Sequence, residues 1–214
     1  MIEAHVVGEL NRRLYEREWD DYLHVRHDIY VKEKRWRPES PDGREVDQFD
    51  TPDATYLLGI EDGEVVAGAR LIPTDRPNLA CDVFSCMCDV RGVPRHRNWA
   101  DWTRTFVVPG KRSASRRGTL FQLFCASMEY CVGEGIEYAG GIQETYFLPL
   151  FCMMDWCVRP LGMPRVVAGE WSVVAYIRCD DAALAGVRRL LGSDCPLLVR
   201  RGEQKPFIPH AVAA

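Results

Sequence analysis

The chain reads as an α/β protein, with one mixed β-sheet flanked by helices. Three observations predict this. Residues 55–72 hold a hairpin: apolar runs from Thr55 to Ile60 and from Val65 to Ile72 flank Glu61-Asp62-Gly63-Glu64, and the Asp-Gly pair supplies the positive-φ positions such a turn needs. Later strand-like runs alternate with helical periodicity. Hydrophobic residues make up 47% of the 214 and charged residues 27%, enough for one domain, expected over residues 1–214, with its own core.

Along the chain, Ile2 to Val7 predicts a first strand. Apolar positions Leu10, Leu14, Trp19, Tyr22, Leu23, Ile29 and Tyr30 predict a helix over about Glu9 to Lys34. Lys34 to Ala54 is polar and rich in Pro, Asp and Glu, a long excursion of the kind that is usually functional or disordered. After the hairpin, Trp99 to Val108 predicts a strand closed by Pro109-Gly110. Ser113 or Ser115 is placed to cap a helix running to Gly135. Glu137 to Ile142 predicts a buried strand, and Thr145 to Met154 a helix interrupted by Pro149. Arg165 to Gly169 and Ser172 to Cys179 predict strands, Asp181 to Leu191 a helix, and Leu197 to Arg200 a last strand.

Composition excludes several functions. A net charge of -4 argues against nucleic acid as the main partner. No apolar run approaches the roughly 20 residues needed to span a bilayer. Met1 to Gly8, carrying Glu3 and His5, is unlike a signal peptide, so no membrane partner and a cytoplasmic location are expected. The odd count of nine cysteines fits free thiols. Cys81, Cys86, Cys88 and His96 lack the spacing of a zinc knuckle, so no metal is expected.

The chemistry shows as charge where periodicity calls for apolar residues. Arg26 falls three and four residues from Tyr22, Leu23, Ile29 and Tyr30. Arg70 sits within the run Val65-Val66-Ala67-Gly68-Ala69-Arg70-Leu71-Ile72, while Asp101 and Arg104 lie within the strand from Trp99. Arginine cannot shed its charge, so each buried one needs carboxylates, and Glu45-Val46-Asp47-Gln48-Phe49-Asp50 offers three. Any one of these is explained by a snorkelling stem. Together they describe a site for a zwitterionic substrate.

The same residues carry a resemblance. Arg26, Tyr30 and Trp36, then E-V-D-Q-F-D at Glu45 to Asp50, G-A-R-L-I-P-T at Gly68 to Thr74, Phe84, and D-W-T-R at Asp101 to Arg104 resemble, in this order, the acyl-homoserine-lactone synthases. The likeness covers about residues 20 to 110, and P-L-G-M-P around Gly162 fits the later half. It implies an acetyltransferase-like fold with a cleft between neighbouring central strands. It implies acylation of the amine of S-adenosylmethionine by an acyl thioester, then lactone closure with loss of 5'-methylthioadenosine, and no permanently bound cofactor. By the same likeness Arg26, Tyr30, Trp36, Asp47, Asp50, Arg70 and Arg104 shape the adenosylmethionine pocket. Phe84 contacts substrate or packs the core, and Thr103 positions the amine or a water. Adenosylmethionine carries a carboxylate for Arg, an ammonium for Asp, and a sulfonium and adenine for aromatic faces.

The chain departs from the family pattern in one strand: the family's Glu is Asp101, its Ser is Thr103, and its Phe after the Arg is Thr105, with Phe106 one place on. A carboxylate one methylene shorter remains available as a general base, directly or through water. Backbone N–H groups near residues 103–107 are candidates to hold the oxyanion.

Family members take acyl groups from coenzyme A or from the acidic acyl carrier protein, whose dock would be basic. Gln143 to Val158 has no Lys or Arg, whereas Lys111, Arg112, Arg116 and Arg117 cluster before Gly118, so an acyl-CoA donor is favoured, with Arg116 and Arg117 at its phosphates. The acyl pocket draws on Phe124, Met128, Ile142, Thr145, Tyr146, Leu150 and Met153, bulky residues suited to a short, branched or aromatic chain. Two other readings stay open: an N-acyltransferase acting on another amine, and a non-catalytic adenosylmethionine sensor.

Overall fold

The hairpin turns through Asp62 and Gly63, both in the left-handed region (φ 53° and 80°), and joins β2 (Thr55–Glu61) to β3 (Glu64–Pro73). In the computed structural model, which describes residues 1–113, 115 and 118–209, this hairpin lies inside one mixed sheet of nine strands. The other strands are β1 (Glu3–Val7), β4 (Trp99–Val107), β5 (Tyr138–Glu144), β6 (Val158–Pro160), β7 (Arg165–Val167), β8 (Glu170–Arg178) and β9 (Leu198–Arg200). Their order is β6-β8-β5-β4-β3-β2-β1-β9, with β7 also on β8.

One face packs on α3 (Thr119–Gly133) and α5 (Asp181–Leu191), burying Leu71, Ala100, Leu123, Met128, Ala139 and Val187. The other face is covered twice. Over the hairpin, α1 (Glu16–His27) buries Tyr22 against Tyr56, Leu58 and Phe106. Nearer β8, the short α2 (Leu79–Asp82) and the chain after it bury Met87 against Trp99 and Tyr176. Among the described residues no helix is long and apolar enough to cross a membrane.

Several expected elements change form. The helix expected over Glu9 to Lys34 is a 3-10 turn (Arg12–Tyr15), then α1, then a π-helical turn (Asp28–Glu33). In that last turn the Lys34 N–H reaches back to the Ile29 carbonyl at 2.8 Å. Such widened turns often occur at functional sites. Helix α3 starts at Thr119 with Gly118 as N-cap, so neither Ser113 nor Ser115 caps it. Pro149 does not interrupt a helix but opens α4 (Leu148–Met153), where its missing N–H costs nothing. Helix α2 and strand β6 span four and three residues, too short for periodicity to show.

Two irregularities in β4 place the site. Its parallel pairing with β5 covers only Trp99–Asp101 against Tyr138–Gly140; beyond Asp101 the strands part while β4 stays on β3 and β5 on β8. Opposite β3, Gly68 pairs with Phe106 but Arg70 with Thr103, so Arg104 and Thr105 together face Ala69 in a β-bulge. Arg104 sits there at φ +52°. A non-glycine residue at positive φ inside a strand is strained backbone of the kind that clusters at active sites.

Candidate active site

Where β4 and β5 part, a cavity of about 970 Å³ opens. Its two halves differ in chemistry. The half toward the π-helical turn is lined by Tyr30, Trp36, Arg37, Asp47 and Arg104, and the half toward α3 and α4 by Trp102, Leu120, Phe124, Ile142, Phe147 and Phe151.

Behind the polar half, three arginines meet three carboxylates. Arg26 donates to Glu45 Oε2 at 2.6 Å and, through both terminal nitrogens, to the two Asp50 oxygens at 2.9 Å each. Arg70 donates to Asp47 Oδ1 and Asp50 Oδ1, each at 2.7 Å, and through Nε to Thr103 Oγ1 at 3.2 Å. Arg104 donates to Glu45 Oε1 at 2.8 Å and to Asp47 Oδ2 at 2.5 Å. Tyr56 OH donates to Asp50 Oδ1 at 2.8 Å.

Burial alone would raise the Asp47 and Asp50 carboxyls, but the hydrogen bonds and charges of Arg70 and Arg104 on one, and of Arg26 and Arg70 on the other, win and hold both below the ordinary value. The sextet is neutral as a whole. It therefore acts as a rigid frame from which Arg104 and Asp47 reach the cavity.

Aromatic faces complete this half. Tyr30 stacks on Trp36 with centroids 5.7 Å apart and planes at 26°. The Arg104 guanidinium lies 4.9 Å over the Tyr30 ring, and the Lys34 ammonium 5.1 Å over Trp36. Trp36 is 43% exposed, leaving its ring available to a ligand.

Asp101 is fully buried at the point where the strands part. Its Oδ2 accepts the Leu79 N–H at 3.0 Å, while Oδ1 has no hydrogen-bond partner among the described residues. Burial pushes the carboxyl up to about 7, against the opposing pull of Arg70 and of backbone N–H groups at residues 79 and 80. A carboxyl poised there suits proton abstraction near neutrality.

In the apolar half Trp102 and Phe124 meet edge to face at 5.8 Å, Phe124 meets Phe151 at 5.9 Å, and Phe147 stacks on Phe151 at 15°. Trp156 backs Phe151 at 5.5 Å. The Trp102 indole N–H is buried without an acceptor among the described residues.

Of the residues expected to bind substrate or catalyse, Tyr30, Trp36, Asp47, Phe84, Thr103, Arg104, Phe106, Ile142 and Tyr146 line the cavity. Arg26, Asp50 and Arg70 stand one layer behind it, where each buried charge is paired with an opposite one: Arg26 and Arg70 donate and Asp50 accepts. Asp101 sits beneath the cleft floor, and Thr145 does not line the cavity. In the expected acyl pocket, Phe124, Leu150, Ile142 and Tyr146 line the cavity; Met128 is core and Met153 does not reach it. Lys111 and Arg112 are engaged by Glu61 and Glu33, and Arg116 and Arg117 lie outside the described residues. Sequence reasoning missed Arg37, Trp102, Phe147 and Phe151. The cluster Tyr146-Phe147-Leu148-Pro149-Leu150-Phe151 was the available signal for the last two.

The autoinducer synthase family matches residues 11–187. The chain is 38% identical to the isovaleryl-homoserine lactone synthase of Bradyrhizobium diazoefficiens over 81% of its own length and 78% of that protein's. It superposes with a TM-score of 0.90 at 33% identity on BjaI, a CoA-dependent acyl-homoserine lactone synthase solved with SAM and isopentyl-CoA, covering 97% of both chains. An acyl-CoA N-acyltransferase from Pseudomonas aeruginosa shares the fold at 13% identity, with a TM-score of 0.56 over 83% of this chain and 99% of the other. With the family model spanning most of the chain and a relative 38% identical over four fifths of it, this chain belongs to the autoinducer synthase family.

Proposed function

We propose that the protein makes an acyl-homoserine lactone from S-adenosylmethionine and an acyl-CoA. The observation that carries this reading is one cleft with two unlike halves that meet at Thr103, above the buried Asp101. Adenosylmethionine occupies the polar half: Arg104 takes its carboxylate, Asp47 its ammonium, and Trp36 and Tyr30 its cationic and aromatic parts. The acyl thioester occupies the half lined by Trp102, Phe124 and Phe151.

The amine must be neutral to attack. Asp101, directly or through one water, takes its proton; the nitrogen lone pair then adds to the thioester carbonyl, the nitrogen's second proton passes to the departing sulfur, and coenzyme A leaves as the thiol. Amides of the β4 bulge, whose extra residue is out of the ladder, donate to the oxyanion. In the second step a carboxylate oxygen of the acylated methionyl group attacks its own γ-carbon. The C–S bond to the sulfonium breaks, releasing neutral 5'-methylthioadenosine and the lactone. Arg104, held by Glu45 and Asp47, keeps that carboxylate in line.

Coenzyme A is favoured as carrier by the lack of Lys or Arg between Gln143 and Val158, where an acidic carrier protein would want a basic face, and by the CoA dependence of BjaI. The aromatic box favours a short branched or aryl acyl group. Incubation with adenosylmethionine and a panel of acyl-CoAs, with mass spectrometry of lactones and methylthioadenosine, tests the reading; kcat/KM for one acyl group on each carrier tests the donor. Preference for the carrier-protein form would overturn the donor assignment.

A further inference from the structure

The hydroxyl of Tyr30 does something that an aromatic wall does not require. Tyr30 comes from the π-helical turn and is buried. Its OH donates to the Thr105 carbonyl at 3.1 Å, inside the β4 bulge. The same ring carries the Arg104 guanidinium on its face. One side chain therefore holds both residues that depart from the ladder.

The need for such a hold follows from the backbone. Beyond Asp101 strand β4 has lost β5 as a neighbour, so on that edge its polar groups have no strand partner. Arg104 pays for its positive φ in strain, and a strained bulge persists only where its surroundings over-determine it. A bulge that relaxed by one residue would carry neighbouring side chains to the opposite face, Thr103 and Arg104 among them. Burial raises the Tyr30 phenol above its ordinary value, so it stays a donor through neutral pH. The widened turn is what carries the phenol there: the Ile29 carbonyl accepts from Lys34 and the Tyr30 carbonyl from the Trp36 N–H at 2.9 Å.

We propose that the Tyr30 hydroxyl is the pin of the β4 bulge, a positioning residue that acts through the Thr105 carbonyl to aim the bulge amides at the acyl-transfer centre. This rests on the lactone-synthase reading above. The decisive variant is Tyr30→Phe, which keeps the ring under Arg104 and the stack on Trp36 and removes one donor. Two readouts are needed, steady-state kinetics and amide hydrogen exchange across residues 104–106.

The expected result is a fall in kcat of about tenfold, the size of one lost buried hydrogen bond, with KM for adenosylmethionine within about twofold. Exchange at the bulge should quicken. Tyr30→Leu, which also removes the ring, should raise that KM as well. Wild-type kcat in Tyr30→Phe would overturn the pin, as would a change confined to KM. A fall in kcat with exchange unchanged would also overturn it, by placing the hydroxyl on substrate. Failure of the underlying reading looks different: the wild type would release no methylthioadenosine, while the exchange difference would persist.

Discussion

Gly141 leaves the space that the free oxygen of Asp101 occupies: a Cβ built on Gly141 would stand 2.7 Å from Asp101 Oδ1. Gly140, the residue before it, is the last β5 partner of β4, paired with Asp101 itself. The candidate base thus lies at the root of the cleft, with a side-chain-free strand in front of it. Gly141→Ala should push the carboxylate aside and lower kcat by at least about tenfold, since misplacement by an ångström is costly in catalysis. Circular dichroism should stay native and turnover should fall; full activity would show that the oxygen needs no such space.

The pH dependence of Asp101 has two signs. As a base it works ionised, so kcat/KM should rise with pH through about 7, and Asp101→Asn should remove most activity along with that limb. For folding the sign reverses. A carboxyl whose folded value is raised favours the neutral form, so its stabilisation is full below the unfolded value of 3.8 and is lost as pH rises through about 7. Asp101→Asn should therefore be more stable than wild type in alkaline buffer, by up to a few kcal/mol. Urea titrations at acid and alkaline pH check this; equal stability differences at both would refute it.

The ionic frame separates stability from binding. Arg26→Met leaves Glu45 and Asp50 buried with one cation fewer and should cost about 3–5 kcal/mol. Arg104→Ala, at the cavity wall, should instead abolish lactone formation with a smaller loss of Tm. Denaturation curves read beside isothermal titration of adenosylmethionine distinguish the two.

Acid should unfold the frame. Asp47 and Asp50 have depressed carboxyl values, so the stability they contribute is present above the unfolded value and is lost as pH falls toward the folded one. Asp50→Asn should flatten that part of the stability curve between about pH 5 and pH 2. An unchanged acid limb would mean that Asp50 is not the group lost.

Trp102 closes the apolar half, so Trp102→Leu should admit longer acyl chains. Competition between short branched and long straight acyl-CoAs, read by product mass, should shift about tenfold toward the long chain, the order expected for one or two methylenes of pocket space. An unmoved ratio would place the chain elsewhere.

Local chemistry determined much of this protein. The Asp-Gly turn, the hairpin, helix α5 from Asp181 to Leu191, and the misplaced charges at Arg26, Arg70, Asp101 and Arg104 were legible because period, turn residues and desolvation cost act over a few neighbours. Which of those charges faces substrate was not legible. Arg26 and Arg104 look alike in sequence, yet one is sealed behind Asp50 and the other opens on the cavity. That depends on ion pairs between segments 19 and 59 residues apart, as in Arg26–Glu45 and Arg104–Glu45. The π-helical turn, the bulge at Arg104 and the parting of β4 from β5 are likewise tertiary decisions. Each gives up regular backbone hydrogen bonds, a cost that only partners brought in by the fold, such as Tyr30 for Thr105, make good.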